Sequence, residues 1–171
     1  MDIQEVYAVI HEIAEGFEEN VLKCLDNHSG NVVMAISDQL YSGIDGNDEY
    51  LSPTYDEDPF FNEEGPWYQN SQGYKAWKME ITPPVVSSIL GLNPRPEEVP
   101  NLFITGKFHS DINAKRSGDM LLVDPGHNDG PSIVSKYGEQ ILELSSRGVA
   151  YFNTEFLIPA IERFYSKCGY R

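Results

Sequence analysis

The side chains best suited to bind a metal ion lie between residues 109 and 129. They are two histidines and three aspartates: His109, Asp111, Asp124, His127 and Asp129. Histidine nitrogens and carboxylate oxygens coordinate a divalent cation where they converge. Residues 124–130, however, are rich in turn-forming types, and in turns aspartate and asparagine bind backbone groups. We therefore predict no metal site, and no cofactor of any other kind.

Two glycine-containing motifs resemble ion- and phosphate-binding loops but do not match them. A calcium loop that starts at Asp45 requires glycine at its sixth position, where the chain has Tyr50. The pair Gly106-Lys107 resembles the end of a phosphate loop, yet Phe108 stands where serine or threonine is needed. We interpret the first motif as a turn and the second as part of a strand with an exposed lysine.

Acidic residues are abundant enough to raise the question of glycoside hydrolysis. Five of them lie close together beside several aromatic rings: Asp56, Glu57, Asp58, Glu63 and Glu64. Hydrolysis needs two carboxylates at a defined separation, one of them in an apolar pocket. A run of adjacent acids is more often a solvated face. The chain lacks a Gly-x-Ser-x-Gly motif, and its thiols, Cys24 and Cys168, are isolated. We predict no catalytic residues.

The net charge of −15 is confined to the first part of the chain. Residues 1–74 carry 16 acidic side chains and one basic side chain, whereas residues 75–171 carry 11 of each. Specific nucleic-acid binding needs clustered basic residues, and an acidic surface repels DNA without holding it. The apolar runs are too short to span a membrane. These features exclude a repressor and predict a cytosolic origin.

Hydrophobic periodicity predicts helices in a single domain that covers residues 1–171. An amphipathic helix runs from Ile3 to about Asn27, and a second follows from Val32 to Leu40 with Gly43 as its stop. A buried strand over residues 32–36 is the competing interpretation. Further helices are predicted at residues 74–79, from residue 131 or 132 to 138, and from residue 153 or 154 onward. Pro159 must lie in the first turns of the last one.

A small antiparallel sheet is predicted in the second half. Leu102 to Thr105 read as a strand that continues towards Phe108 and Ile112, and Met120 to Val123 as its partner. Residues 115–119 would form the hairpin turn, and residues 141–144 a short strand or loop. The expected fold class is α+β, with N-terminal amphipathic helices, a small antiparallel sheet and a C-terminal helix.

Residues 43–78 form an acidic excursion that is rich in aromatic residues. A disordered acidic segment would lack so many rings. We expect the rings to hold the excursion against its own domain or against a neighbouring subunit, as an inter-subunit arm. The two arrangements remain alternatives. The candidate interface residues are Tyr55, Phe60, Phe61, Trp67, Tyr68, Tyr74 and Trp77.

Three groups of residues, in this order along the chain, resemble a family of phage proteins. The first group begins with Gln39-Leu40-Tyr41-Ser42-Gly43, continues through Leu51, Pro53 and Tyr55, and ends with Gly65-Pro66-Trp67-Tyr68 and Ala76-Trp77-Lys78. The second group is Pro100 to Ser110. The third group is Ser135-Lys136-Tyr137-Gly138 with Ile141 to Ser145. Together they cover roughly residues 30–167. They resemble the virion morphogenesis and tail-completion (head–tail connector) proteins of tailed phages, including crAss-like and other Bacteroidetes phages.

This resemblance implies a structural protein without catalytic residues. Such a subunit forms a homo-oligomeric ring, of sixfold or twelvefold symmetry, in the neck or tail barrel around the DNA channel. Its partners would be further copies of itself, portal or adaptor proteins and tail proteins, with no specific nucleic acid and no membrane. It would be made in the host bacterial cytoplasm and reside in the virion. Two alternatives stay open: an acidic protein that mimics DNA or inhibits a host factor, and a peptidoglycan hydrolase.

Overall fold

The computed structural model describes residues 2–126 and 128–170. Within them, the structure is mainly helical with one two-stranded antiparallel sheet, which confirms the predicted α+β class. The α-helices are α1 (Ile3–Asn27), α2 (Ser29–Tyr41), α3 (Ser71–Ile81), α4 (Lys107–Asp111), α5 (Gly130–Tyr137), α6 (Ser146–Phe152) and α7 (Ile158–Lys167). The strands are β1 (Asn113–Ser117) and β2 (Met120–Asp124). Short 3₁₀ segments cover Pro59–Asn62 and Glu139–Leu142, and a π-helical segment covers Asn153–Leu157.

The first helix begins at a capping box. Asp2 Oδ1 accepts hydrogen bonds from the backbone N–H groups of Gln4 and Glu5 at 2.8 and 2.9 Å. The Glu5 carboxylate in turn accepts the N–H of Asp2 at 2.7 Å. These bonds satisfy N–H groups that have no partner within a helix. The predicted helix from Ile3 to Asn27 is confirmed.

The second helix, α2, lies at the centre of the core. Its buried face contains Val32, Ile36 and Leu40, spaced four residues apart as one side of a helix requires. The helix predicted here is confirmed, and the competing strand is wrong. Around this face pack the buried residues Cys24, Leu51, Val99, Ile112, Ile141 and Phe152. Gly43 follows the helix at φ 71°, where a Cβ atom would lie 2.5 Å from Val99 Cγ1.

The strand predicted from Leu102 to Thr105 is wrong. Leu102 has a positive φ of 52°, and Gly106, at φ 80°, leads into α4. The Phe103 carbonyl accepts a hydrogen bond from the Lys78 ammonium group instead of from a neighbouring strand. This apolar stretch is therefore an irregular segment that side chains hold in place.

The first strand of the sheet is instead the polar segment β1. Its register with β2 places Lys115 opposite Leu122 and Ser117 opposite Met120. Gly118, at φ 64°, lies in the turn between the strands. The partner strand predicted over residues 120–123 is confirmed as β2, whereas most of the turn predicted over 115–119 belongs to β1. One face of this hairpin is exposed, so polar residues are tolerated in it.

The chain closes with consecutive helical elements. The predicted closing helix is present, but helical structure begins earlier, at Ser146, because the Ser145 hydroxyl accepts the Gly148 N–H at 3.2 Å. Pro159 lies in the first turn of α7, directly after the π-helical segment. Proline lacks an N–H and crowds the preceding turn, and a π-helical turn relieves that crowding.

The two remaining predictions for the second half have different outcomes. The helix predicted from residue 131 or 132 to Gly138 is confirmed as α5. Residues 141–144 form no strand, since Glu139–Leu142 is a 3₁₀ segment. The helix predicted over residues 74–79 is also confirmed, as part of the longer α3.

Helix α7 packs along α1. The rings of Phe17 and Tyr165 lie 6.3 Å apart. Gly16 gives the Phe164 ring close access, since a Cβ at this position would lie 2.9 Å from the ring. The first two turns of α1 stay exposed nonetheless. Among the described residues, no helix is both long enough and apolar enough to cross a bilayer.

Candidate functional site

The aromatic residues of the 43–78 excursion contact one another within the chain. Tyr74 on α3 lies at their centre. The ring centroids of Tyr55, Phe61, Trp67 and Trp77 are 5.1 to 5.3 Å from its own. Most of these pairs are edge-to-face, an arrangement that aromatic quadrupoles favour. The excursion is therefore ordered by its own rings, as its composition predicts.

The seven interface candidates differ in their exposure. Tyr55 and Phe61 are buried inside the chain, so in this conformation they cannot contact a neighbour. Phe60 and Tyr68 are exposed, and they retain area that another molecule can cover. The intermediate group is Trp67, Tyr74 and Trp77. A role for these rings between subunits stays a prediction, with Phe60 and Tyr68 as its most accessible members.

Two of the carboxylates considered for hydrolysis form ion pairs, one that connects the excursion to α5 and one within the excursion itself. Buried Asp58 accepts a hydrogen bond from the Lys136 ammonium group on α5 and another from the Phe60 N–H at 3.0 Å. Asp56 forms an ion pair with the buried Lys75 on α3 at 2.8 Å. Removing one partner from a buried ion pair strongly destabilises a fold. The pairs therefore have a clear structural role.

Lys78 is almost fully buried, with 1% of its surface exposed. Its Nζ donates to Asn101 Oδ1 at 2.8 Å and to the Phe103 carbonyl oxygen. Both of these acceptors are neutral. Burial, together with the nearby positive charge of Arg95, lowers the pKa of Lys78 to about 8. The ammonium group thus holds residues 101–103 in their irregular path.

Arg95 and His109 extend this arrangement. The Arg95 guanidinium donates to the Val99 carbonyl at 2.9 Å and to the Thr82 carbonyl at 3.0 Å. His109 Nε2 lies 2.9 Å from the Asn101 carbonyl oxygen, so this nitrogen carries the hydrogen. Burial lowers the pKa of His109, and the ring is therefore neutral at pH 7. We call Lys78, Arg95, Asn101 and His109 the polar cluster.

A cleft of about 640 Å³ opens above the polar cluster. It lies between the excursion, residues 100–111 and residues 125–137. Three lysines line it, and we call it the lysine cleft: Lys78, Lys107 and Lys136. Its apolar lining includes Phe103 and Phe108, and Ile104 at its edge is exposed. The volume falls within the roughly 300–1,000 Å³ typical of ligand-binding sites.

The lining of the lysine cleft combines aromatic and aliphatic side chains with paired charges. Among the described residues that line it there is no serine, cysteine or histidine. Lys107 pairs with Asp111 at 2.7 Å, and Lys136 pairs with Asp58. The arrangement offers rings and aliphatic side chains within a ring of charges. Three aspartates, Asp58, Asp111 and Asp129, balance the three lysines, so the lining has no net charge and suits an apolar ligand surface.

The ion- and phosphate-binding motifs of the sequence have structural roles. The Asp45 carboxylate accepts the N–H groups of Asn47 and Glu49 at 2.8 and 3.0 Å, which confirms the turn. The strand interpretation of Gly106-Lys107 is wrong, because α4 begins at Lys107. Within the described ranges, no three histidine, cysteine, aspartate or glutamate side chains are placed to hold a metal ion. His127 lies outside the described residues.

Sequence reasoning missed the polar cluster. The signal for Lys78 was present, because Tyr74, Lys78 and Ile81 share one side of α3, so a charge interrupts an otherwise apolar stripe. Arg95, between two prolines, left no comparable signal.

Comparison of the chain with protein-family models, curated proteins and solved structures found no match.

Proposed function

We propose that the protein is a phage virion structural subunit that assembles into a homo-oligomeric ring in the head–tail neck or tail barrel. One observation carries the assembly part of this proposal. Ile3, Tyr7 and Ile10 on α1 expose 85%, 70% and 61% of their surface. Covering such a stripe gains about 25 cal/mol for each Å² of apolar area removed from water. Large exposed apolar patches mark association surfaces.

The position in the neck or tail depends on the family resemblance of the sequence. The charge distribution is compatible with it, since an acidic wall lets DNA pass without binding it. The ordered excursion and the buried polar cluster give the rigid body that a ring subunit needs.

An acidic binding protein that mimics DNA or inhibits a host factor is the second candidate. The observation in its favour is the charge of α1 and its capping residue Asp2, where six carboxylates precede the first basic residue, Lys23. A peptidoglycan hydrolase has less support, because Asp56 and Asp58 are engaged in ion pairs with lysines. Purified protein should therefore leave a peptidoglycan suspension turbid.

Native mass spectrometry and light scattering over a concentration series test the assembly. We expect a discrete closed oligomer larger than a dimer, and electron microscopy of that species should show rings. A protein that stays monomeric or dimeric at the highest soluble concentration contradicts the proposal and favours the acidic binding protein.

A further inference from the structure

The exposed stripe on α1 has the spacing of a helix that docks in a groove. Ile3, Tyr7 and Ile10 are separated by four and three residues, so they project from one side of the helix. From first to last they span about 10 Å along the axis. Anchors at these intervals are typical of amphipathic helices that insert into apolar grooves. Phe17, seven residues after Ile10 and therefore on the same side of the helix, contacts Tyr165 of α7. Ile3, Tyr7 and Ile10 continue this side towards the start of α1 and stay exposed.

The charge around the stripe restricts what it can contact. Residues 2–22 contain six acidic side chains and no lysine or arginine. Two α1 helices packed against each other would bring these acids together, and like charges oppose such a contact. The complementary surface should instead be apolar and carry no net negative charge.

Two clefts on the body are large enough to be considered. The lysine cleft has a volume of about 640 Å³, and a second cleft of about 660 Å³ opens beside β2. The second one has an aliphatic lining, and its charged residues are Glu139 and Glu143, so we call it the glutamate cleft. An acidic helix meets like charges there. In the lysine cleft it meets Lys107 and Lys136, whose own carboxylate partners leave the lining close to neutral.

We propose that the Ile3–Ile10 stripe of one copy docks into the lysine cleft of a second copy. This inference rests on the proposed assembly into a ring. Donor and acceptor are different surfaces of the same chain, so the contact is heterologous. Heterologous contacts generate rings when the rotation between subunits closes. The docked stripe would cover Ile104 and Phe60, which are exposed in the single chain.

Three variants test the assignment. The double substitution Tyr7→Ser with Ile10→Ser removes the donor. Ile104→Glu places a charge at the acceptor, where 56% of the isoleucine is exposed. The matched control is Leu122→Glu, which lines the glutamate cleft with 53% exposure. All of these side chains are largely exposed, so the folded chain should tolerate the changes, and urea unfolding at a concentration where the protein is monomeric checks this.

The expected result is specific to donor and acceptor. Either defect should raise the dissociation constant of the wild-type oligomer at least about tenfold, because a hot-spot contact is lost. Leu122→Glu should assemble like the wild type. An equimolar mixture of the donor-defective and acceptor-defective chains should form dimers that neither forms alone, since each mixed pair contains one intact donor and one intact acceptor.

Each alternative outcome has a distinct meaning. If the wild type assembles and Ile104→Glu assembles equally well, the lysine cleft is not the acceptor and only the docking proposal fails. If Leu122→Glu alone prevents assembly, the glutamate cleft is the acceptor. If the mixture stays monomeric, the contact does not join α1 of one copy to the cleft of another. If the wild type is monomeric at every concentration, the ring and the docking both fail.

Discussion

The irregular region between α3 and α4 packs around a buried lysine of α3 and buries an arginine of its own, whereas α1 leaves isoleucines and a tyrosine in solvent. The two regions also differ in backbone structure. Residues 82–106 have almost no regular hydrogen-bonding pattern, so their carbonyl groups need other donors. In a helix the backbone groups bond to one another. The remaining contacts of α1 are its cap and its packing, mostly against α7 and also against α2 and β1.

This difference shows which interactions keep each region in a defined conformation. In the irregular region, long cationic side chains satisfy carbonyl oxygens that a sheet would otherwise satisfy. In α1, regular structure forms without covering every apolar residue. The polar cluster therefore stabilises the single chain, while the free stripe of α1 is available to a second molecule.

The largest expected effect is the difference in stability loss between two isoleucine-to-alanine substitutions, one in the core and one in the exposed stripe of α1. Ile36→Ala in α2 should lower the free energy of unfolding by about 4 kcal/mol, because it leaves a cavity in the core. Ile10→Ala should change it by less than about 0.5 kcal/mol in the monomer. Urea unfolding at low concentration measures both. Equal losses would mean that the start of α1 is covered within the chain.

A slightly smaller effect should follow from removing the arginine of the polar cluster. Arg95→Met leaves the Val99 and Thr82 carbonyls buried without their donor, which should lower the free energy of unfolding by about 3 kcal/mol. The matched control is Arg147→Met. Arg147 is exposed and donates to the Gly91 carbonyl at 2.8 Å, an acceptor at the surface that water can satisfy. The control should lose less than about 1 kcal/mol, and similar losses for both would show that the buried bonds contribute little.

The smallest expected effect is the pH dependence that Lys78 confers. Its pKa is lowered to about 8 in the folded chain, whereas an unfolded lysine keeps its proton up to about pH 10.4. Between these values the unfolded state binds more protons. The free energy of unfolding should therefore increase from pH 8 to 9.5, by at most about 1.4 kcal/mol per pH unit.

Lys78→Met is the control for this measurement, because it should abolish the rise. Above pH 10 the tyrosines act in the opposite direction. Burial raises the pKa of Tyr55 and Tyr137, so the unfolded state loses their protons first and stability falls. Denaturant unfolding at closely spaced pH values gives the profile. A wild-type profile that is flat from pH 8 to 9.5, or matched by the variant, would contradict the lowered pKa of Lys78 in the fold.

Elements with strong local signals were predicted correctly. The period of α1 is a property of one short segment, and so are the apolar face of α2 and the turn at Asp45. The strand at Leu102 to Thr105 was predicted wrongly for the converse reason. Its apolar residues match a strand pattern, but its path depends on Lys78, whose bonding partner Asn101 is 23 residues away.

The candidate site was predicted only in part. The rings of the excursion were recognised from composition, yet composition does not show that Tyr55 and Phe61 would be buried by Tyr74. The lysine cleft was not recognised, because Lys107 and Lys136 approach each other only when α4 and α5 are placed around the excursion.

The sequence by itself determined helices α1, α2, α3, α5 and α7, the α+β class and the confinement of net charge to residues 1–74. These follow from periodicity, caps and composition, which act within short segments. The tertiary structure alone decided which side of α1 contacts α7, which lysine is buried and which lysines line a cleft. Burial and hydrogen bonding between distant residues depend on the packing of the whole chain, and no local pattern encodes them.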